Sequence, residues 1–514
     1  MKGMIQRIKK LLIAGLMIWT SVGLDGQLTP AVAISEMTRG INLGNSLDAT
    51  PTETSWGNPL IQEYYFDDFK NAGFTCVRIP VTWRYHVSKT LPYTIDPDWL
   101  DRVDTIVTWA LDRGLYVIIN AHHEDGIKSI DTMSNSVARA DTIARYDSIW
   151  SQVSNRFMNK SDHLLFEMLN EPHDMSQASL NSYNTRILSI IRKTNPTRLV
   201  VFSGTSYSGS NQLISTAIPD PDDPYLIGYF HSYDPWSFAG QAEGTYGSSG
   251  DINATASIFS QVNSWSESHS IPVTLNECGA VKQCDYNSRM IYYATIVEQA
   301  LKNNMAFNVW DDNGTFQTYD RNTRNWNDAK DVIIYTYKES PTSLRCEVSD
   351  SNAVLRWNNR TTQNDSIIVE KQVGNLFTAY ATLAPDADSI FLSGLDQNVY
   401  HYFRLQTKLH DTLMYSYPIR FKILSPEGMH DEIKYDADVL TVFPNPAHAF
   451  ITVRTDILIP GETLNIFDFS GKKVSSAKFS HNETSIDISE FADGIYFIRL
   501  EGQGINGVSK FIKQ

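Results

Sequence analysis

Residues 97–124 read PDWLDRVDTIVTWALDRGLYVIINAHHE. The first part has helical spacing. Leu100, Val103, Ile106, Val107, Ala110 and Leu111 share one face, between Pro97 at the start and Gly114 at the stop. The second part, Leu115–Ala121, is largely apolar and does not alternate, as expected of a parallel strand buried on both faces. It delivers His122-His123-Glu124 at its C-terminal end. A helix feeding a doubly buried strand is the repeating unit of parallel α/β folds.

The unit recurs on both sides of this stretch. Candidate strands are Gly40–Leu43, Cys76–Val81, Leu115–Ala121, Leu164–Leu169, Leu199–Phe202, Leu226–His231, Pro272–Leu275 and Ala306–Trp310. Further helical faces are marked by Ile187, Ile190 and Ile191, and by Tyr293, Ile296, Val297, Ala300 and Leu301. Eight such units predict an α/β fold of the (β/α)8 barrel type over residues 34–340. An open doubly wound sheet usually needs fewer units.

With 514 residues the chain needs more than one domain. After residue 340 helical periodicity stops. Residues 341–426 carry alternating strands such as Ala353–Trp357, Ser366–Glu370 and Tyr400–Leu405, the pattern of a β-sandwich. A polar, acidic linker over 427–435 leads to a second β module at 436–514.

The net charge of −15, with no Lys/Arg block beyond the N-terminus, argues against a nucleic-acid partner. The 11 Trp, 25 Tyr and 23 Phe allow a neutral, ring-shaped one. Lys2, Arg7, Lys9 and Lys10 precede the apolar stretch Leu11–Leu24 and then Asp25-Gly26-Gln27. This is the anatomy of a secretory signal peptide, with residues 1–33 as signal and leader, cleavage near residues 23–33 and no membrane span in the mature chain. Four cysteines are too few for a disulfide scaffold, although export permits a bridge and Cys278 and Cys284 are close enough in sequence to pair.

In a (β/α)8 barrel the working groups stand at the C-terminal strand ends. Here those ends offer Arg78 and Trp83, His122-His123-Glu124, Asn170-Glu171-Pro172, His231-Ser-Tyr233, Asn276-Glu277 and Trp310-Asp311, while the strand interiors read as mostly apolar. Glu171 and Glu277, from strands four and seven, face each other across the mouth. Such a pair suits glycosidic bond cleavage, in which one carboxyl donates a proton and the other is ionised. A separation of about 5–5.5 Å allows direct attack with retention, and about 6.5–9.5 Å admits water and inverts. Adjacent histidines on a strand point to opposite sides, so His122 and His123 are not read as a metal site. No cofactor is expected, no phosphate-binding loop is present, and the chain is expected to be a monomer.

The stretch from Arg39 to about Trp310 resembles family 5 of the glycoside hydrolases, the cellulase family, in its endoglucanase-type branch similar to subfamily 4. The resemblance is carried by Gly40-Ile-Asn-Leu-Gly-Asn-Ser-Leu-Asp48, Val77-Arg-Ile-Pro-Val-Thr-Trp83, Asn120-Ala-His-His-Glu124, Leu169-Asn-Glu-Pro172, His231-Ser-Tyr-Asp-Pro-Trp236 and Trp310-Asp-Asp-Asn-Gly314, in that order. It implies a secreted retaining endo-β-1,4-glucanase with Glu171 as acid/base and Glu277 as nucleophile. Arg78 would keep Glu277 ionised and Tyr233 would hydrogen-bond to it. Asn170 would hold the sugar 2-hydroxyl, His122 and His231 would line the same subsite, and Trp310 would floor it. Asn42 and His123 belong with the substrate-binding residues, and Trp56, Trp83 and Trp236 with neighbouring subsites. Asn276 and Cys278 depart from the Gly and aromatic residue that usually flank the nucleophile. Xyloglucanase, lichenase or β-mannanase action, or a non-catalytic glycan-binding surface protein, are the alternatives.

Residues 341–425 resemble a fibronectin type III domain, with Trp357 as its buried tryptophan and Tyr400 or Tyr402 at the E–F corner, and a spacer role is expected. Residues 436–514 resemble the C-terminal sorting domain of type IX secretion, through Phe443-Pro-Asn-Pro446, Gly471-Lys472 and Gly494-Ile-Tyr-Phe-Ile-Arg-Leu500. The implied partners are a β-glucan polysaccharide and the type IX machinery. The implied location is the outer cell surface or the medium.

Overall fold

The computed structural model describes residues 27–349, 352–424, 440–455, 463–468, 472–479, 483–502 and 505–514. The basic and apolar parts of the expected signal peptide, and the linker at 427–435, lie outside the described residues. No helix among the described residues is long and apolar enough to cross a membrane.

Eight parallel strands close into a barrel in chain order. They are β1 (Arg39–Asn42), β2 (Cys76–Ile79), β3 (Tyr116–Asn120), β4 (Leu164–Glu167), β5 (Val200–Phe202), β6 (Leu226–His231), β7 (Val273–Cys278) and β8 (Ala306–Val309). All eight expected strands are present, each starting within one residue of its expected position. β1 pairs with β2 and β8 and so closes the ring. Gly40 permits this closure, because a Cβ there would lie 1.9 Å from Asn308 Oδ1.

The helix read after Pro97 spans Pro97–Asp112. Asp96 caps it by accepting from the Asp98 N–H, and it buries Trp99, Val103, Ile106, Val107 and Ala110. Each fully buried aliphatic side chain contributes about 1.5–3 kcal/mol. A short helix, Pro30–Met37, buries Ala33, Ile34 and Met37 against barrel residues including Cys76, Ile118, Leu165 and Ala306. The boundary expected at residue 33 therefore moves: this helix runs through it.

One layer of the barrel overturns the expectation of apolar strand interiors. Asn42, Arg78, Asn120, Glu167, Asn276 and Asn308 are all fully buried there. Buried charges survive only when paired and hydrogen-bonded, and these are. The register also slips in β7: Phe230 pairs with Leu275 but His231 with Glu277. The extra residue is a β-bulge. It lets the consecutive side chains of Asn276 and Glu277 both turn to the buried ion pair at the barrel centre, Asn276 to Glu167 and Glu277 to Arg78, which a regular strand would forbid.

All four cysteines are free, so no Cys278–Cys284 bridge forms. The Cys284 thiol instead faces the Phe238 carbonyl at 3.1 Å.

Residues 342–422 form a three-stranded and a five-stranded sheet. Ala353, Leu355 and Trp357 alternate inward, as do His401, Phe403 and Leu405. One compact unit holds the barrel and most of this module, namely residues to 347, 354–392 and 400–421. Within that unit the other face of strand Tyr400–Leu409 meets the barrel. Tyr402 packs edge-on against Tyr286 at 5.2 Å, and Arg404 reaches Asp331 of helix Ala329–Tyr335 and Glu370 at 2.6 Å. Of the two candidate corner tyrosines, Tyr400 is exposed and stacks with Arg420, and Tyr402 faces the barrel. The C-terminal module has a three-stranded and a four-stranded sheet, with a core that includes Leu440, Ile451, Val453, Leu464, Ile466, Ile498, Leu500 and Phe511.

Candidate active site

The C-terminal strand ends open onto a cleft of about 850 Å³. Of the residues read from the sequence, Trp56, His122, His123, Glu171, His231, Tyr233, Trp236, Glu277 and Trp310 line it. Arg78, Asn42 and Asn170 lie beneath its surface, almost wholly buried. Trp83 belongs elsewhere. It is 1% exposed and its indole N–H donates to the Asn120 carbonyl at 2.8 Å, so it packs rather than presenting a face to the cleft.

Glu171 and Glu277 meet as expected. An oxygen of each, with a ring nitrogen of His231, lies within 4.8 Å of the others. Arg78 Nη1 donates to Glu277 Oε1 at 2.6 Å, and the Tyr233 hydroxyl donates to Glu277 Oε2 at 2.9 Å. His231 Nδ1 lies 3.1 Å from Glu171 and 3.6 Å from Glu277. Glu171 itself sits at φ +44°, a left-handed backbone in which a non-glycine residue stores strain.

Asn170 passes its Oδ1 to Arg78 Nη2 at 2.7 Å, which turns its amide N–H₂ toward His122 Nε2 at 3.4 Å. The Asn120 amide donates to His122 Nδ1 at 3.1 Å. Burial, aided by positive neighbours, holds His122 well below the usual imidazole range, so it is neutral. His122 and His123 follow the end of β3, where the two-sided alternation of a strand no longer applies. Their rings lie 4.6 Å apart and both face the cleft.

The two carboxyls titrate as one pair. Burial pushes Glu277 up against the pull of His231 and Arg78, and the charge of Glu171 adds to the push. Burial works the same way on Glu171, but the hydrogen bond and charge of His231 outweigh it and draw Glu171 down. Lys128 and Arg78 add to the pull on Glu171.

Residues 41–315 match the cellulase model of glycosyl hydrolase family 5, just over half of the chain. The chain belongs to glycosyl hydrolase family 5. Endoglucanase H of Acetivibrio thermocellus is 44% identical over 313 residues, which is 60% of this chain and 33% of that one. Endoglucanase A of Ruminococcus albus is 34% identical over 355 residues, 59% of this chain and 92% of that one. The chain thus spans a third of the first relative and most of the second. A tri-modular family 5, subfamily 4 endo-β-1,4-glucanase from Bacillus licheniformis has the same fold, with a TM-score of 0.66 at 23% identity over 95% of this chain and all of that one. Residues 441–514 match the secretion system C-terminal sorting domain.

The family 5 signature residues acquire physical reasons here. Gly44 is a glycine because a Cβ would press within 2.7 Å of the Trp310 ring. Asp48, at the end of the same signature, accepts from the Asn45 and Ser46 N–H groups, and burial pushes it up to about 6. Asn42 binds Arg78 and the Asn276 carbonyl rather than the cleft. The departures beside the Glu277 position also have partners. Asn276 donates to Glu167 at 2.7 Å, and the buried Cys278 thiol faces the Asn308 carbonyl at 3.8 Å.

Three features escaped the sequence reading. Glu167 lies under Arg78, and its signal was a lone charge within Leu164-Leu-Phe-Glu-Met-Leu169. Tyr207 lines the cleft at 58% exposure, with His173 stacked on one face at 4.7 Å. It is held by three successive left-handed residues, Ser206, Tyr207 and Ser208, at φ 52°, 58° and 58°. Without glycines there, nothing in the sequence announces that turn. Phe316 completes the wall, edge-on to Tyr233 at 5.5 Å.

Proposed function

We propose that this chain is a secreted endo-β-1,4-glucanase that cleaves β-glucans with retention of configuration. The observation that carries it is the approach of Glu171 and Glu277 to within 4.8 Å across an aromatic-lined cleft, with Arg78 and Tyr233 both donating to Glu277. That spacing leaves no room for a water between the carboxylates and the sugar, so direct attack is favoured over inversion.

In the first step Glu277 attacks the anomeric carbon as Glu171 protonates the departing glycosidic oxygen. The C1–O bond breaks and a glycosyl ester forms. In the second step Glu171 takes a proton from water, which attacks C1 and frees Glu277. Asn170, just beneath the cleft and beside His122, is the residue assigned to the 2-hydroxyl, and the Trp310 ring is placed to underlie the reacting sugar. Trp56 and Trp236, about half exposed, offer faces to neighbouring rings. The signal-like N-terminus and the sorting module support export, with the outer surface or the medium as destination and the tail removed on arrival.

The test is hydrolysis of a panel of cellulose, mixed-linkage glucan, xyloglucan and mannan, with the product anomer followed by NMR. Fresh β-anomer from a β-1,4-glucan is expected. Fresh α-anomer would sink retention. Binding without any cleavage would leave a glycan-binding surface protein.

A further inference from the structure

Arg78 has five N–H donors and all five are taken. Nε and Nη2 hold the two oxygens of Glu167 at 2.7 Å each, Nη2 also reaches Asn170 at 2.7 Å, and Nη1 is shared between Asn42 at 2.8 Å and Glu277 at 2.6 Å. Glu167 in turn receives two more donors, Asn120 Nδ2 on Oε1 at 3.0 Å and Asn276 Nδ2 on Oε2 at 2.7 Å. Both residues of this ion pair are fully buried, and Glu167 does not line the cleft. The two-pronged contact fixes the plane of the guanidinium, and the third prong then points at Glu277.

We propose that Glu167 is a positioning carboxylate. It aims Arg78 at Glu277 and takes up most of the arginine's charge, so that Glu277 stays ionised yet remains a competent nucleophile, while Asn276 and Asn120 limit how far Glu167 draws Arg78 away. This rests on the reading of Glu277 as nucleophile. A guanidinium facing Glu277 alone would bind the ionised carboxylate too firmly, holding its electrons against the anomeric carbon. With Glu167 present, one cation is divided between two anions. The β7 bulge supports the arrangement, since it puts the donor to Glu167 and the nucleophile on adjacent residues.

The other groups that face Glu277 are Glu171 after β4, His231 on β6 and Tyr233 just beyond it, Cys278 next in the chain, and Lys128 from the short helix Asp125–Lys128, whose charge also reaches it. None of them is altered by the changes below. The acid limb of kcat/KM against pH reports the ionisation of the nucleophile in the free enzyme. Glu167→Gln gives Glu277 the whole charge of Arg78. The ionised form then persists to lower pH, the acid limb moves down by about one pH unit, and kcat falls at least about tenfold with little change in KM. Asn276→Ala removes one donor from Glu167, which then leans harder on Arg78, so the limb moves up by a smaller amount.

The experiment is the pH profile of the full chain and both variants on a soluble β-glucan, with folding checked by circular dichroism. Opposite displacements are expected. Coincident limbs, or limbs displaced the same way, overturn the proposal, and if Glu167→Gln does not fold, a coincident limb in Asn276→Ala overturns it alone. Separately, the parent is labelled with a 2-deoxy-2-fluoro-cellobioside carrying a dinitrophenolate leaving group, and the peptide is mapped by mass spectrometry. A label away from Glu277 would overturn the nucleophile reading itself.

Discussion

Arg78 and Arg404 each sit between two carboxylates, one at the barrel mouth and one where the first β module meets the barrel. Arg78 lies between Glu167 and Glu277, and Arg404 between Asp331 and Glu370. The ion pairs are alike, and the surroundings differ. Arg404 is sandwiched by the rings of Phe377 at 4.2 Å and Tyr415 at 3.8 Å. At the mouth the rings are left bare and Glu277 opens to the cleft. The arginine of the joint is enclosed by aromatic rings, and the arginine at the mouth delivers one of its carboxylates to a cleft.

The largest effect should come from removing the carboxylate that lines the cleft. Glu277→Gln is expected to lower kcat by about 10⁴-fold or more, with the thermal midpoint little changed, measured by initial rates and melting together. A midpoint that fell while the rate held would reverse the assignment of the two clusters. Next in size, Arg404→Met strands Glu370 without its cation and leaves Asp331 with Lys330 alone. A loss of about 3 kcal/mol in unfolding free energy is expected, with kcat within about twofold of the parent. Denaturant melts beside rates on one preparation decide it.

These expectations also mark how much the sequence discloses. Leu115–Ala121 and its companions are legible because burial on both faces leaves an apolar run of strand length. Glu171 is legible because Asn-Glu-Pro follows such a run. The inward turn of Trp83 is not legible, because a strand end tells where a residue stands and not which way its ring turns. Strand periodicity puts His122 and His123 on opposite sides, but that periodicity stops at Asn120. The β7 bulge is invisible in one strand, because a bulge is a mismatch between two. Glu167 is visible as a charge among Leu, Phe and Met, but its partner Arg78 lies 89 residues away in the chain, where only barrel closure brings the two together.

The bare rings of the cleft give a third comparison with the covered rings of the joint. Tyr207→Ala should reduce kcat/KM on cello-oligosaccharides roughly fivefold, the worth of about 1 kcal/mol of ring stacking. Tyr207→Phe should restore most of it. An unchanged constant in the alanine variant would remove Tyr207 from the binding surface.

The smallest effect concerns acid. Burial opposes the charge on Asp331, yet Lys330 and Arg404 outweigh it and hold the carboxyl below its ordinary value. A depressed native value stabilises the fold above the unfolded value, about 4, and the contribution disappears as pH falls through the native one. Melting temperatures of the parent should therefore fall more between pH 5 and pH 3 (roughly the span around that value) than those of Arg404→Met. Parallel curves would show that Arg404 does not set the acidity of Asp331.

The joint contains one more contact. The barrel residue Asn287 takes both backbone groups of Arg420, accepting from its N–H at 2.6 Å and donating to its carbonyl at 2.9 Å. Arg420 lies in Ile419–Lys422, an outer strand of the five-stranded sheet. An open outer strand invites pairing with another molecule. A single amide from the barrel fills the midpoint of that edge, as a neighbouring strand would. Docking thus does for this edge of the β module what charged or bulged edges do elsewhere: it occupies backbone groups that another strand would need.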